Sequence, residues 1–598
     1  MAKWCRERWV RGADGMPPRH MPGGWRTELG WFDARIVLVR RRMLVPTGGW
    51  VTKRPAKDAF HWHVKGQAAL EEALQRQRLN LNVAKNIIFF LGDGMDVTTT
   101  TAARIRKGQL NGETGEEASL HFEYFPHVGL VKTYNTDRQV PDSAGTATAY
   151  LCGVKSKFGT LGVDDRVERG KCSSIEGAAV DSIMIDSLRA GKNTGFVTTA
   201  RVTHASPAAL YAHTPERRWE NDHDLDSDTV REGCKDIALQ LIENGKNFNV
   251  IMGGGRRELT HRGVEDPEYD GNYGQRRDGR NLVNDWLADK DPMRSHYVWN
   301  LRDFNRVDPV ETDHLIGLFQ PSHMKYEADR SWDRAGEPSL AQMTEKAIRI
   351  LQKNKKEGFF LFVEGGRIDH GHHDGMARDA LTETLAMDDA VGAALRLTSS
   401  EDTLIIVTAD HAHVMTMAGY PSRGNPILGL EDHYLADDDL PYSTLSYANG
   451  PGAKNLKLSF RKSGARENLT SVETDVTGYR QQALVPFDEE THGGQDVMVY
   501  AHGPMAHLFH GVQEQSYIPL AVRYAACIGG ETEHCTHGQA RWCEDGKPSQ
   551  SRTTDQTLAD ASTDTRGAAG SLRTRGGALQ ILSSVVVLLI VKLFTISQ

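Results

Sequence analysis

The chain has 598 residues, with hydrophobic residues at 39%, charged residues at 25% and a formal net charge of −8. Ordinary apolar and charged fractions exclude a wholly disordered, collagen-like or coiled-coil chain, and the length admits a large core in several domains. With 71 basic against 79 acidic residues there is no positive excess to hold a phosphate backbone, so specific nucleic-acid binding is not expected.

Residues 1–55 carry basic, Trp, Gly and Pro clusters such as Met16-Pro17-Pro18-Arg19-His20, and read as an N-terminal extension. Their most apolar stretch, Ala34–Val45, is interrupted by arginines, where a secretory signal needs an unbroken apolar run of about 7–15 residues. From Ala59, the spacing of Ala68, Ala69, Leu70, Ala73 and Leu74 among Glu71, Glu72 and Gln75 predicts an amphipathic helix. Short apolar runs follow at Asn86–Leu91, Gly195–Thr199, Phe248–Met252, Gly358–Val363 and Thr403–Thr408. Helical stretches such as Ala341–Gln352 and Ala377–Leu397 separate them. The runs lack a period of two, as strands covered on both faces should, so the expected fold is α/β with a mostly parallel central sheet.

Residues 418–490 are rich in Gly, Pro, Tyr and Ser and read as a loop-rich insertion, dividing the main domain into 56–417 and 491–545. A polar stalk covers 546–577 and an apolar tail 578–598. Lys592 breaks the tail soon before the chain ends, and a spanning helix needs about 20 apolar residues. Small residues at Gly567-Ala568-Ala569-Gly570-Ser571, a polar spacer over Leu572–Gly577 and the tail fit a cleaved glycolipid (GPI) anchor signal better.

Four of the runs end in residues that bind metal or phosphate well. Leu91 leads into Asp93, Val363 into Glu364 and then Asp369-His370-Gly371-His372-His373, Thr408 into Asp410-His411-Ala412-His413, and the run at Gly195 into Arg201, His204 and Ser206. Ligands bind beyond the carboxyl ends of strands in open α/β sheets, so carboxylates placed there converge without being sequence neighbours. Asp369 and His373 share one helix face and can point at one ion, whereas His370 and His372 fall off that face and suit orienting roles. His492, isolated among turn residues, is a candidate third ligand. Mixed nitrogen and oxygen ligands suit zinc; Asp93 and Glu364 with a hydroxyl suit magnesium. Pro141-Asp142-Ser143 followed by small residues predicts a tight turn into a helix, with the Ser143 hydroxyl at the end where anions bind. No GxSxG elbow, P-loop or CxxC pair is present.

The segments Phe90–Met95, Pro141–Ser143, Thr203–Pro207, Val363–His373, Thr408–His413 and Glu490–His492 resemble the animal-type alkaline phosphatases, in that family's order, from about Phe60 to Cys543. The resemblance implies a three-layer α/β sandwich with a crown-like insertion, and a homodimer that hydrolyses phosphate monoesters. It places a first zinc on Asp369, His373 and His492, and a second on Asp93, Asp410 and His411 beside the nucleophile Ser143. Magnesium falls on Asp93, Ser206 and Glu364, with His204 nearby. Arg217 matches the arginine that grips phosphate, and His413 a neighbour of phosphate and the first zinc. The family's calcium site falls on Glu268, the Phe319 carbonyl, Gln320 and Glu337. Gln320 stands where an acid is usual and Glu337 where Asp is usual, which puts calcium in question.

The same resemblance implies a Cys172–Cys234 disulfide, a free Cys152, and a second disulfide from Cys527 to Cys535 or Cys543. With the sequon at Asn468, these fit an exported glycoprotein on the outer face of the plasma membrane. Two departures touch the site. Ser143-Ala144-Gly145-Thr146 stands where Ser-Gly-Ala-Thr is usual, and Asp96 replaces a glycine just beyond Asp93. Competing readings are a phosphodiesterase of the same two-metal superfamily, a sulfatase, which the residues after Ser143 argue against, and an inactive surface-displayed binding protein.

Overall fold

The apolar runs are strands. The computed structural model describes residues 59–75, 79–530 and 532–536. The strands are β1 (Asn86–Gly92), β2 (His127–Lys132), β3 (Asn193–Arg201), β4 (Val250–Gly254), β5 (Ser295–Val298), β6 (His314–Leu318), β7 (Phe359–Gly365) and β8 (Thr403–Ala409). Then come β9 (Ala412–His413), β10 (Met415–Met417), β11 (Leu445–Gly450), β12 (Ala483–Pro486), β13 (His492–Gly493), β14 (Val497–His502) and β15 (Gly511–Glu514). Ten of them make one sheet in the order β15-β2-β14-β8-β1-β7-β3-β4-β6-β5. Only β14 runs against the others, pairing antiparallel with β2 and β8.

Parallel strands are stable when both faces are covered, and successive residues from Ile87 to Leu91 and from Phe359 to Val363 are buried without alternation. Helices Leu340–Leu351 and Ile183–Arg189 both pack on β3 and β7, and Ala377–Leu397 packs on β1 and β7. Leu340–Leu351 starts at a capping box, in which Ser339 and Gln342 each accept the other's backbone N–H; such a cap is worth about 1 kcal/mol.

Within the span read as loop-rich lie the helix Gly452–Ser463 and the strands β11 and β12, which join β10 in a three-stranded sheet. Strand β11, Leu-Ser-Tyr-Ala-Asn-Gly, has no strand signal of its own; its partners supply the ladder. The helix Ala59–Gln75 forms where expected, with Leu70 and Leu74 exposed, and belongs to a unit separate from the one that begins at Arg78.

Cys172–Cys234 and Cys527–Cys535 are disulfide-bonded, and Cys152 is free and buried. Cys543, the extension over 1–55, the stalk and the anchor tail lie outside the described residues. Among the described residues, no helix is long and apolar enough to cross a membrane.

Candidate metal centre

Register brings the strand ends level. Gly92 of β1 pairs with Gly365 of β7 on one side and Ala409 of β8 on the other. Asp93 and Asp410, each one residue past its strand, therefore meet, and Glu364 on β7, opposite Leu91 and Thr198, rises beside them. Asp93, Glu364, Asp410 and His411 are fully buried.

Asp369 and His373 point the same way from the helix Arg367–His373, with His373 Nε2 3.2 Å from Asp369 Oδ1. His492 completes the triangle, its Nε2 lying 3.1 Å from His373 Nε2 and 3.3 Å from Asp369 Oδ1. Donors about 2.0–2.1 Å from a tetrahedral zinc stand ~3.3 Å from one another, so the triangle fits that ion. The tautomers agree. His373 Nδ1 donates to the Glu490 carbonyl at 2.5 Å and His492 Nδ1 to the Pro141 carbonyl at 2.7 Å, which leaves both Nε2 lone pairs free. Pairing of β13 with β9, His492 opposite His413, holds His492 in place.

In the second set, His411 Nε2 lies 3.1 Å from Asp410 Oδ2 and 3.5 Å from Asp93 Oδ1. Ser143 Oγ is 3.2 Å from the same Nε2. Ser143 opens the helix Ser143–Ala147, whose cap Asp142 accepts from Gly145 N at 3.2 Å. A Cβ at Gly145 would stand 1.5 Å from Asn135 Nδ2, so in this chain the glycine belongs there, and Ala144 takes the other place. Gly94, at φ +69°, is likewise required, because a Cβ would stand 2.4 Å from the His413 ring.

The third set gathers Ser206, Asp93 and Glu364. Ser206 Oγ donates to Asp93 Oδ2 at 3.4 Å, and Thr198 Oγ1 donates to Glu364 Oε2. Asp93 Oδ1 and Glu364 Oε1 are buried without any hydrogen-bond partner; such a group costs about 1–3 kcal/mol or more unless something answers it. Burial, then the charges of Asp410, Asp369 and Glu364, pushes the Asp93 carboxyl well above its usual range, and burial pushes Glu364 up to about 7. Asp369 differs: burial acts to raise it, yet His373, His413 and His492 hold it well below the usual range. Crowded acids with orphan oxygens are what divalent ions resolve.

Arg217 pairs with Asp142 at 3.0 Å and its other prong lies 3.3 Å from His204 Nε2. His413 stands between Asp369, at 2.9 Å, and Glu490, at 2.6 Å; against the effect of burial, these acids push it up to about 10. Glu490 thus orients two histidines, a role its place before His492 did not reveal. Asp96 is a cap: it accepts from Thr99 N at 2.7 Å at the start of the helix Val97–Leu110. His372, bonded to Thr99 and Tyr447, orients its helix.

The alkaline phosphatase family profile matches residues 84–528. This chain belongs to the alkaline phosphatase family. It is 51% identical over 483 residues to the tissue-nonspecific alkaline phosphatase isozyme of Rattus norvegicus, with 80% of this chain and 90% of the relative covered. It is 50% identical over 471 residues to an alkaline phosphatase of Gadus morhua, with 78% and 97% covered. The solved structure of Thermus thermophilus alkaline phosphatase matches with a TM-score of 0.53 at 23% identity, over 76% of this chain and 93% of that one, which shows the shared fold.

In this alkaline phosphatase a second group of buried acids is answered in part from within, with Asp333 Oδ2 and Glu337 Oε2 left unpartnered. Arg256 bridges Asp266 at 2.9 Å and Glu268 at 3.1 Å. Tyr269 donates to Gln320 Oε1 at 2.9 Å, and Gln320 Nε2 donates to Asp333 Oδ1 at 2.7 Å. Lys325 N donates to Glu337 Oε1 at 2.8 Å; burial, then the Asp333 charge, pushes Glu337 up to about 8. The Arg256 guanidinium and the Gln320 amide thus answer part of the group onto which the calcium site falls, where a calcium site would offer oxygens alone.

Proposed function

We propose that this protein hydrolyses phosphate monoesters through a phosphoserine at Ser143, with two zinc ions and one magnesium. The first zinc is held by Asp369, His373 and His492, the second by Asp93, Asp410 and His411, and magnesium by Asp93, Ser206 and Glu364. The observation that carries the reading is Ser143 Oγ at 3.2 Å from His411 Nε2 of the second set, with Arg217 paired to the adjoining Asp142. When bound, such ions lower the pKa of a coordinated hydroxyl or water and answer charge on the leaving oxygen.

Arg217, steadied by Asp142, grips two non-bridging phosphoryl oxygens with its fork. Ser143 Oγ loses its proton and forms an O–P bond as the ester oxygen leaves, which takes a proton to become the alcohol. Water then attacks the same phosphorus, the serine ester breaks, and Ser143 is regenerated with inorganic phosphate as product. His204 borders the phosphoryl group and the magnesium set, and His413 the phosphoryl group and the first zinc set. Labelling with ³²P-phosphate tests this directly: label on Ser143, and none on Ser143→Ala, is expected. Label elsewhere overturns the assignment, and turnover of diesters in preference to monoesters overturns the substrate class.

The same reading makes the protein a homodimer on the outer face of the plasma membrane, glycosylated at Asn468 and held by a glycolipid. Sequence similarity to the curated relatives and the stalk–tail pattern support it. Release of activity from cells by a phosphatidylinositol-specific phospholipase tests the anchor, and sedimentation equilibrium tests the dimer.

A further inference from the structure

A relay of hydrogen bonds runs from the three-stranded sheet to His413. Tyr447, on β11, has its Oη 2.9 Å from His372 Nδ1, and His372 Nε2 lies 3.0 Å from Thr99 Oγ1. Thr99 Oγ1 donates to Asp96 Oδ1 at 2.8 Å, and the backbone N–H of His413 donates to Asp96 Oδ2 at 3.3 Å. All five residues are buried. The directions follow from the carboxylate end. The single hydroxyl proton of Thr99 goes to Asp96, so Thr99 accepts from His372 Nε2–H. His372, buried and facing two hydroxyls, carries one proton, so its Nδ1 accepts from Tyr447.

The relay closes on itself. Tyr447 pairs across the sheet with Met415, two residues after His413, and the His372 ring stacks on the His413 ring, with centroids 4.6 Å apart and planes at 28°. Asp369 and Glu490 occupy the two ring nitrogens of His413 and fix where its edges point. The stack on His372 fixes the plane of the ring, and the backbone contact to Asp96 fixes its depth. Asp96 stands where a glycine is usual. A glycine has no carboxylate to offer Thr99 or His413, so the anchor of the relay is this protein's own.

We propose that Asp96 and His372 are positioning residues for phosphate: they set the pose of the His413 imidazole and, through Thr99 and Tyr447, tie it to the three-stranded sheet. The inference rests on the reading of His413 as a neighbour of phosphate. A ring held in one pose meets the phosphoryl oxygens without first being ordered, and that advantage is lost when its supporting residues loosen.

The test titrates the metal-loaded enzyme with inorganic phosphate by calorimetry, alongside zinc content. Asp96→Asn keeps a carbonyl for Thr99 but turns an amide N–H towards the His413 N–H, so it separates the helix cap from the hold on His413. His372→Phe keeps a stacked ring and removes both hydrogen bonds. Each should bind phosphate at least about threefold more weakly than wild type at unchanged zinc content, and His413→Ala should weaken binding further. Wild-type affinity in Asp96→Asn or His372→Phe, with His413→Ala weakened, overturns this proposal and leaves the reading of His413 standing. Wild-type affinity in His413→Ala overturns that reading itself. A neutron structure of wild type needs no variant to fold: deuterium on His372 Nε2 and none on Nδ1 is expected, and deuterium on Nδ1 overturns the relay.

Discussion

Two clusters of buried acids, one at the strand ends and one around Gln320, meet the same electrostatic problem with different neighbours. At the strand ends, Asp93 and Glu364 keep oxygens that no protein donor reaches, and the neighbouring groups are acids or histidines with free lone pairs. Around Gln320, Arg256 and the Gln320 amide answer most of the acids, although Asp333 and Glu337 each keep one unpartnered oxygen. The difference teaches how to tell an ion site from a structural acid cluster. Counting carboxylates does not separate them; asking whether the protein supplies its own cation or amide does.

The comparison breaks first at its reactive member. Ser143→Ala should lower monoester turnover by at least ~10²-fold with the fold intact, since only the nucleophile is removed; turnover near wild type would detach the serine from the chemistry. Next, His492→Ala should cost the enzyme about one zinc per chain by elemental analysis, because Asp369 and His373 alone leave that site one ligand short of the usual three. Unchanged zinc would mean the triangle does not hold an ion.

The Gln320 cluster gives the converse test. Wild type should melt at the same temperature with calcium or with a calcium-selective chelator. Gln320→Glu exchanges an internal amide donor for another carboxylate, and should melt a few degrees lower in chelator and recover with calcium, as a change of ~1 kcal/mol moves a large domain by about 2–4 °C. A calcium-dependent melt of wild type would show that this cluster, too, awaits an ion.

The smallest effect sharpens a third solution, in which a buried acid keeps its proton. Glu383, on the helix Ala377–Leu397, accepts from Glu327 N at 2.5 Å, and burial pushes it from 4.5 up to about 8. The folded state then holds a proton that the unfolded chain loses above its own lower pKa. Glu383 therefore makes stability fall as pH rises from about 4.5 towards about 8. Glu383→Gln should flatten that part of the melting profile, and an unchanged slope from pH 5 to pH 8 would assign it to other groups.

Much of the site was legible because its residues sit at the ends of strands that announce themselves. Asp93, Glu364 and Asp410 follow apolar runs, and Asp369 and His373 share a helix face, so residue type and spacing alone pointed to metal chemistry. His492 was ambiguous, since a lone histidine among turn residues carries no local signal until β13 pairs with β9. Glu490 was unreadable for the same reason. Its partners lie far away in sequence, and an acid before Thr491 looks like any loop residue. Asp96 stood out in the sequence only as a departure from the family's glycine, and backbone geometry makes it a helix cap.

By itself the sequence determined the class of fold, the buried strands and the chemical identity of the donors, because burial pattern and residue type are local properties. Tertiary structure decided which donors meet. Distances near 3 Å between side chains more than a hundred residues apart depend on strand register and on hydrogen bonds to distant carbonyls, and no window of sequence contains both partners.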